Sequence, residues 1–235
     1  MKLMPRLLLI IVIVLITSAM YAQFAGGSGT ESDPWLVETR LHLEQLNNYL
    51  GVGHTDKYYR QIADIDLSSA PWNPIGRVTP FYGQYDGDGY NISNLNISDY
   101  LSGPSGLFAK ITNSDIKNVY LNQVSLTLSY DSYPSFQSPE AIASLVGYVT
   151  NSVINNCHAN GQIILNFQNT GAQQVGGLVS VLDVNSSLIN SSSHCSIEIY
   201  SWTYLYELYF SINNIGGLVA DNKGTILRSK FSNYV

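Results

Sequence analysis

A short phrase of small residues, one leucine and an apolar neighbour is written four times in this chain: Ser105-Gly106-Leu107-Phe108, Ala143-Ser144-Leu145-Val146, Gly176-Gly177-Leu178-Val179 and Gly216-Gly217-Leu218-Val219. Its leucines stand 38, 33 and 40 residues apart. Self-similarity at that period belongs to stacked repeats, in which each unit buries its apolar face only against its neighbours. A second phrase supports the same conclusion. Ile92-Ser93-Asn94-Leu95, Ile116-Lys117-Asn118-Val119 and Ile154-Asn155-Asn156-Cys157 share Ile, any residue, Asn and an apolar residue, and degenerate copies begin at Ile189 and Ile226. These isoleucines are 24, 38, 35 and 37 residues apart, which reads as one minimal rung followed by rungs with insertions.

What precedes the repeats looks like an export signal: basic Lys2 and Arg6, an apolar run from Leu7 to Ile16, then Thr17-Ser18-Ala19 or Met20-Tyr21-Ala22 before a cleavage point. That run is about half the roughly 20 residues a spanning helix needs, so no stable membrane span is expected after cleavage. The expected location is secreted or at the cell surface. Formal charge is -6 for the chain, and more negative once Lys2 and Arg6 are removed, which argues against a nucleic-acid partner. Charged residues make up only 12% while hydrophobic residues reach 45%, a balance that suits stacked strands and turns better than helices.

One helix is nevertheless expected. Thr39 suits an N-cap, Leu43, Leu46 and Leu50 recur on one face, and Gly51 stands where a helix would stop. Such an element shields the open apolar end of a strand stack. The expected organisation is therefore a signal peptide over 1–22, an N-terminal cap with a short helix over 23–58, and repeats over 59–235. The end at Val235 follows Ile226 by about one strand, which suggests a fragment truncated at the C-terminus.

Gly-Gly-Leu-Val followed by Ile-x-Asn-Cys, the stretch Tyr85-Asp86-Gly87-Asp88-Gly89-Tyr90-Asn91-Ile92-Ser93-Asn94-Leu95 and the entry Gly29-Thr30-Glu31-Ser32-Asp33-Pro34-Trp35 together resemble bacterial GLUG-motif proteins. The resemblance implies an all-β fold, a right-handed parallel β-helix or solenoid, in a secreted or surface protein of adhesin-like or peptidase-associated type. It implies no shared catalytic residues. Departures fall at Ser144, Ser180 and Ala220, where the family often has glycine, so irregular rungs are expected there.

In a stack of parallel strands about 4.8 Å apart, like residues form ladders. Leu107, Leu145, Leu178 and Leu218 are expected to form one internal stack, and Ile92, Ile116, Ile154, Ile189 and Ile226 a second. Asn94, Asn118 and Asn156 are expected to form an amide ladder at a turn.

Chemistry is harder to find. Cys157 and Cys195 are an even pair in an exported chain, open to either a disulfide or buried thiols. Register argues against the bridge, because Cys157 follows its Ile by three residues and Cys195 by six. Cys157-His158 and His194-Cys195 lack zinc-site spacing, and Asp86 and Asp88 around Gly87 read as a turn rather than a calcium loop. Asp64, Asp66, Asp86, Asp88 and Asp115 are the carboxylates that a polysaccharide lyase or hydrolase could use, yet no basic partner recurs beside the first two. No catalytic residue, metal or cofactor is assigned.

The candidate ligand-binding residues are aromatic. Trp202, Tyr204, Tyr206 and Tyr209 lie in the longest insertion, and Tyr130 and Tyr133, with Phe136, in the corresponding insertion of an earlier repeat. Aromatic faces stack on sugars and on apolar partner surfaces. The same alternation would also fit an extra strand covering the solenoid wall. The leading expectation is a non-enzymatic scaffold or adhesin-like surface whose partner is a glycan or an envelope or host surface protein. A carbohydrate-active enzyme and a structural fragment of a larger surface protein are the alternatives.

Overall fold

The computed structural model describes residues 23–98, 103–130, 141–167, 173–201 and 212–232. The expected signal peptide, 1–22, lies outside them. The described chain starts with strand β1 (Trp35–Val37), helix α1 (Arg40–Gln45) and two 3₁₀ turns, Leu46–Asn48 and Val52–His54. Strands β2 (Tyr58–Gln61), β3 (Ile65–Asp66), β4 (Gln84–Asp86), β5 (Asn91–Ser93), β6 (Asn96–Ile97) and β7 (Phe108–Thr112) follow. The next circuit is β8 (Asp115–Lys117), β9 (Tyr120–Tyr130), β10 (Ala141–Ala143) and β11 (Val146–Thr150). It is repeated as β12 (Val153–Asn155), β13 (His158–Phe167), β14 (Gln173–Gly176) and β15 (Val179–Leu182). A third copy comprises β16 (Ser187–Ile189), β17 (Ser192–Ser201), β18 (Ile212–Gly216) and β19 (Val219–Asn222), and β20 (Thr225–Leu227) and β21 (Lys230–Phe231) begin a fourth.

Among the described residues every strand pair is parallel. The strands sort into four walls that the chain visits in turn. Wall one is β1-β2-β4-β8-β12-β16-β20; wall two is β3-β5-β9-β13-β17-β21, with β6 also pairing β9. Wall three is β10-β14-β18 and wall four β7-β11-β15-β19. Parallel pairing cannot be closed by a tight hairpin, so the chain must travel round the other walls before it pairs with itself again.

Left-handed residues make the corners. Asn118, Asn156, Asn190 and Arg228 follow the wall-one strands with φ of 55, 55, 50 and 48°, and Asn113, Asn151 and Asn185 precede those strands with φ of 52, 46 and 59°. Asparagine tolerates this region better than other side chains with a Cβ. Each entry corner continues with a buried serine, Ser114, Ser152 or Ser186. The Ser114 amide donates to Ser152 Oγ at 3.0 Å and the Ser152 amide to Ser186 Oγ at 3.4 Å, so side chains satisfy backbone that the turn leaves unpaired.

Leu107, Leu145 and Leu178 are fully buried at the bend between walls three and four, while Leu218, in the last circuit, is only partly buried. The glycines of this phrase are needed for space. A Cβ at Gly177 would sit 1.9 Å from the Gly217 carbonyl oxygen, and one at Gly176 1.7 Å from that of Val179. Ser144 fits because its hydroxyl donates to the Gly177 carbonyl of the next circuit. Ser180 donates to Gln174 O at 2.7 Å, and the Val146–Val179–Val219 register runs unbroken past Ser180 and Ala220. These departures therefore do not make the rungs irregular.

The isoleucine column needs correction. Pairing aligns Tyr59, Tyr85, Ile116, Ile154, Leu188 and Ile226 in wall one. Ile189 is one residue out of phase and points to the outer face beside Asn155, because side chains alternate along a strand. Ile92 belongs to wall two, between Ile65 and Leu121. The 24-residue interval was therefore no rung at all. Asn94 is likewise a wall-two corner, with φ 61°, and donates to Asp66 rather than to Asn118.

Helix α1 is capped by Thr39, whose hydroxyl accepts from the His42 amide at 3.3 Å. With the 3₁₀ turns it occupies the part of the first circuit where strands of walls two to four would run, and buries Leu43 and Leu46 in the common core. Arg40 ties it to the second circuit by donating to the carbonyls of Leu67, Ala70 and Pro71. Aromatic rings fill this end, with Phe24 stacked on Trp35 at 5.0 Å and Tyr59, Phe81 and Phe108 linked at 5.7 and 5.3 Å.

Candidate functional site

Two surfaces emerge. One is the edge where wall two hands over to wall three. Tyr130, Phe167 and Ser201 end β9, β13 and β17 in register, and Ala141, Gln174 and Asn214 lie in register where the chain returns. Insertions of three successive circuits thus leave from one strand edge and re-enter along another. Trp202, Tyr204, Tyr206, Tyr209 and Tyr133 fall in these insertions, outside the described residues, and of Tyr130 only the backbone is described.

The second surface is the outer face of wall one near its N-terminal end. Arg60 lies opposite Asp86, Asp86 opposite Lys117, and Gln84 next to Asp115 across the β4–β8 pair. With Tyr58, and with Glu31 and Pro34 from the loop before β1, they line a groove of about 210 Å³. Gln84 is fixed in its floor, accepting from the Asp115 amide at 2.6 Å. Asp86 Oδ1 accepts from the Asp88 amide at 2.9 Å and from Asn118 Nδ2 at 2.8 Å, and its Oδ2 lies 3.5 Å from Lys117 Nζ. Burial raises the Asp115 carboxyl above the ordinary range, the Lys117 ammonium opposes this, and Asp86 adds to the rise. Asp86 and Asp115 are among the carboxylates that the sequence marks as candidates; Tyr58 and Arg60 join them only through the strand register, and Glu31 through the loop before β1.

Asp64 and Asp66 are elsewhere, in wall two. Asp64 accepts from the Asn91 amide at 2.8 Å; Asp66 accepts from Asn94 Nδ2, the Ser68 amide and the Ser68 hydroxyl at 2.8 to 2.9 Å. Both act as turn anchors. Asp88, at φ 50°, completes the corner that Asn118 and Asn156 make in later circuits.

From Asp86 a directed chain of hydrogen bonds runs up the stack. Asn118 donates to the carboxylate, Asn156 donates to Asn118 at 2.8 Å, and Asn156 Oδ1 faces His158 Nε2 at 3.1 Å. An acceptor there places the proton on Nε2, so Nδ1 accepts from the Ser192 hydroxyl at 2.8 Å. Burial, with His194 and Lys230 nearby, lowers the His158 pKa. Cys157 and Cys195 are both free and buried. Cys157 sits one residue past the Asn156 corner, and Cys195 faces Gly161 and Val124 inside wall two. Among the described residues, no group of three or more His, Cys, Asp or Glu could hold a metal, and no helix is long and apolar enough to cross a membrane.

One complete circuit, from before β10 through most of β13, coincides with a known sequence family, described as the GLUG motif and matched at residues 138–164. Residues 138–164 are a GLUG motif. Structurally the motif is one visit to each wall: Ala143-Ser144-Leu145-Val146 makes the bend between walls three and four, and Ile154-Asn155-Asn156-Cys157 the corner after wall one. Over 131 residues the chain is 34% identical to a protein of Evansella cellulosilytica named as a Gly-rich membrane protein, covering 53% of this chain and 14% of that one. Over 181 residues it is 30% identical to Halomucin of Haloquadratum walsbyi, covering 71% of this chain and 2% of that one. The chain thus spans only a small part of either relative. A candidate immunoglobulin A1 protease of Bacteroides ovatus, known by crystal structure, shares the fold with TM-score 0.52 and 16% identity, over 89% of this chain and 78% of that one.

Proposed function

We propose that the chain is a right-handed parallel β-helix that is secreted or held at the cell surface, a non-enzymatic scaffold with an adhesin-like binding edge. The single observation that carries this reading is the stacking of the insertion ends, with Tyr130, Phe167 and Ser201 in register at departure and Ala141, Gln174 and Asn214 at return. Insertions gathered on one side of a solenoid are where repeat proteins place their binding surface. The handedness follows from the strong preference of parallel crossovers. The relatives named as a membrane protein and as Halomucin support a surface location, and the layout of residues 1–22 supports export.

In this reading Trp202, Tyr204, Tyr206, Tyr209, Tyr130 and Tyr133 present aromatic faces to a glycan or to an envelope or host surface protein. A glycan and surface-protein array probed with the wild type and with a Trp202→Ala, Tyr206→Ala double variant tests it. Binding by the wild type and its loss in the variant is the expected result. Turnover of any polysaccharide on the array would overturn the non-enzymatic part.

A further inference from the structure

The wall-one groove carries hydrogen-bonding capacity that the protein does not use. Asp86 is engaged on both oxygens and Gln84 on its carbonyl oxygen. By contrast, the Arg60 guanidinium, the Tyr58 hydroxyl and the Glu31 and Asp115 carboxylates make no hydrogen bond or ion pair within 4 Å with a described residue, although Arg60 lies directly opposite Asp86 in register. These groups surround one small open space rather than a flat surface. A guanidinium and carboxylates left uncommitted around one groove provide both donors and acceptors.

What could fill the space is limited by charge and size. Glu31, Asp86 and Asp115 outnumber Arg60 and Lys117, so a phosphate or carboxylate ligand would meet net repulsion. Arg60 and Lys117 would in turn repel a metal ion. An apolar ligand would strand polar groups without partners. A volume of about 210 Å³ is also below the usual range for drug-sized ligands. A neutral polyol ring satisfies all of these conditions: its hydroxyls donate to Glu31 and Asp115, accept from Arg60, and its C–H face can lie on the Tyr58 ring.

We propose that the groove between the Glu31–Pro34 loop and strands β2, β4 and β8 is a binding subsite for one neutral pyranose unit of a glycan. It is a separate surface from the insertion edge and does not depend on the aromatic residues there. The full chain is titrated with neutral methyl pyranosides of gluco, galacto and manno configuration and followed by amide NMR shifts. Shifts at Tyr58, Arg60, Gln84 and Lys117 are expected, and Arg60→Ala and Glu31→Gln should each weaken binding about tenfold, in line with the loss of one charge-assisted hydrogen bond. Glu31 lies in a loop outside the sheet, so its variant keeps the test meaningful if Arg60→Ala fails to fold. The Trp202→Ala, Tyr206→Ala variant should retain these shifts even if it loses array binding. Absence of shifts with all three sugars, or equal affinity in Glu31→Gln and wild type, would overturn the proposal.

Discussion

Asn156 donates through Nδ2 to Oδ1 of Asn118, 2.8 Å away and 38 residues earlier, from one left-handed corner to the next. Each asparagine has two tasks: it tolerates a φ near +55° and it bonds the circuit below. Substitutions can separate them. Asn156→Gly keeps the backbone and loses the side-chain bonds, at about 1 kcal/mol. Asn156→Ala also forces a Cβ without polar compensation into the left-handed region, which adds about 1 kcal/mol or more. Urea unfolding of the two variants should rank alanine below glycine; equal midpoints would mean that the corner is not strained.

Gly177→Ala should be among the most damaging single-methyl changes in the protein. The new Cβ meets the Gly217 carbonyl oxygen at 1.9 Å and Ser193 Oγ at 2.4 Å, and backbone cannot swing aside as a side chain can. A loss of about 3 kcal/mol is expected, at the upper end for overpacking. Ser144→Gly, in the equivalent position one circuit earlier, removes only the hydroxyl bond and should cost about 1 kcal/mol. Thermal melts of the pair measure the contrast.

Burial pushes the Cys157 thiol up to about 12, with Asp115 and Asp86 adding to the rise. Folded chains therefore keep this proton where unfolded chains lose it, above about pH 8.5. Stability should fall as pH rises from there toward the folded value. Cys195 is raised in the same direction, chiefly by burial. Neither thiol should react with an aromatic disulfide reagent at pH 8 until denaturant is added; rapid labelling of native protein would contradict the buried placement.

Asp66 moves the opposite way. The Asn94 amide, then the Ser68 amide and hydroxyl, hold its carboxyl below the ordinary range. The stabilisation is present at neutral pH and is lost as pH falls through that lowered value. Carbon-detected NMR titration should find the Asp66 midpoint below that of an ordinary aspartate, and Asn94→Ala should raise it.

Asn94 also explains what could be learned before the fold was known. The Ile-x-Asn phrase reports a need for positive φ after a short strand, and walls one and two both end strands that way, so Ile92-Ser93-Asn94 and Ile116-Lys117-Asn118 look alike while lying on different faces. Periodicity revealed the Leu107, Leu145 and Leu178 bend because space there admits almost nothing but small residues before the leucine. The Asn113-Ser114, Asn151-Ser152 and Asn185-Ser186 corners were equally periodic, yet were hidden among many other Asn and Ser residues. The groove was least legible. Its residues come from separate circuits, and nothing in the order of the chain marks Arg60, Asp86 and Lys117 as neighbours until the register is known.

Wall two widens abruptly, from the two residues of β3 and three of β5 to eleven, ten and ten in β9, β13 and β17. At about 3.3 Å per residue those strands run roughly 30 Å and together make a stiff ribbon that ends at Tyr130, Phe167 and Ser201. A pull along the ribbon from that edge would load the paired strands in shear, with many hydrogen bonds sharing the force instead of parting one at a time. The same pairing that lengthens wall two makes its far edge mechanically well anchored to the core.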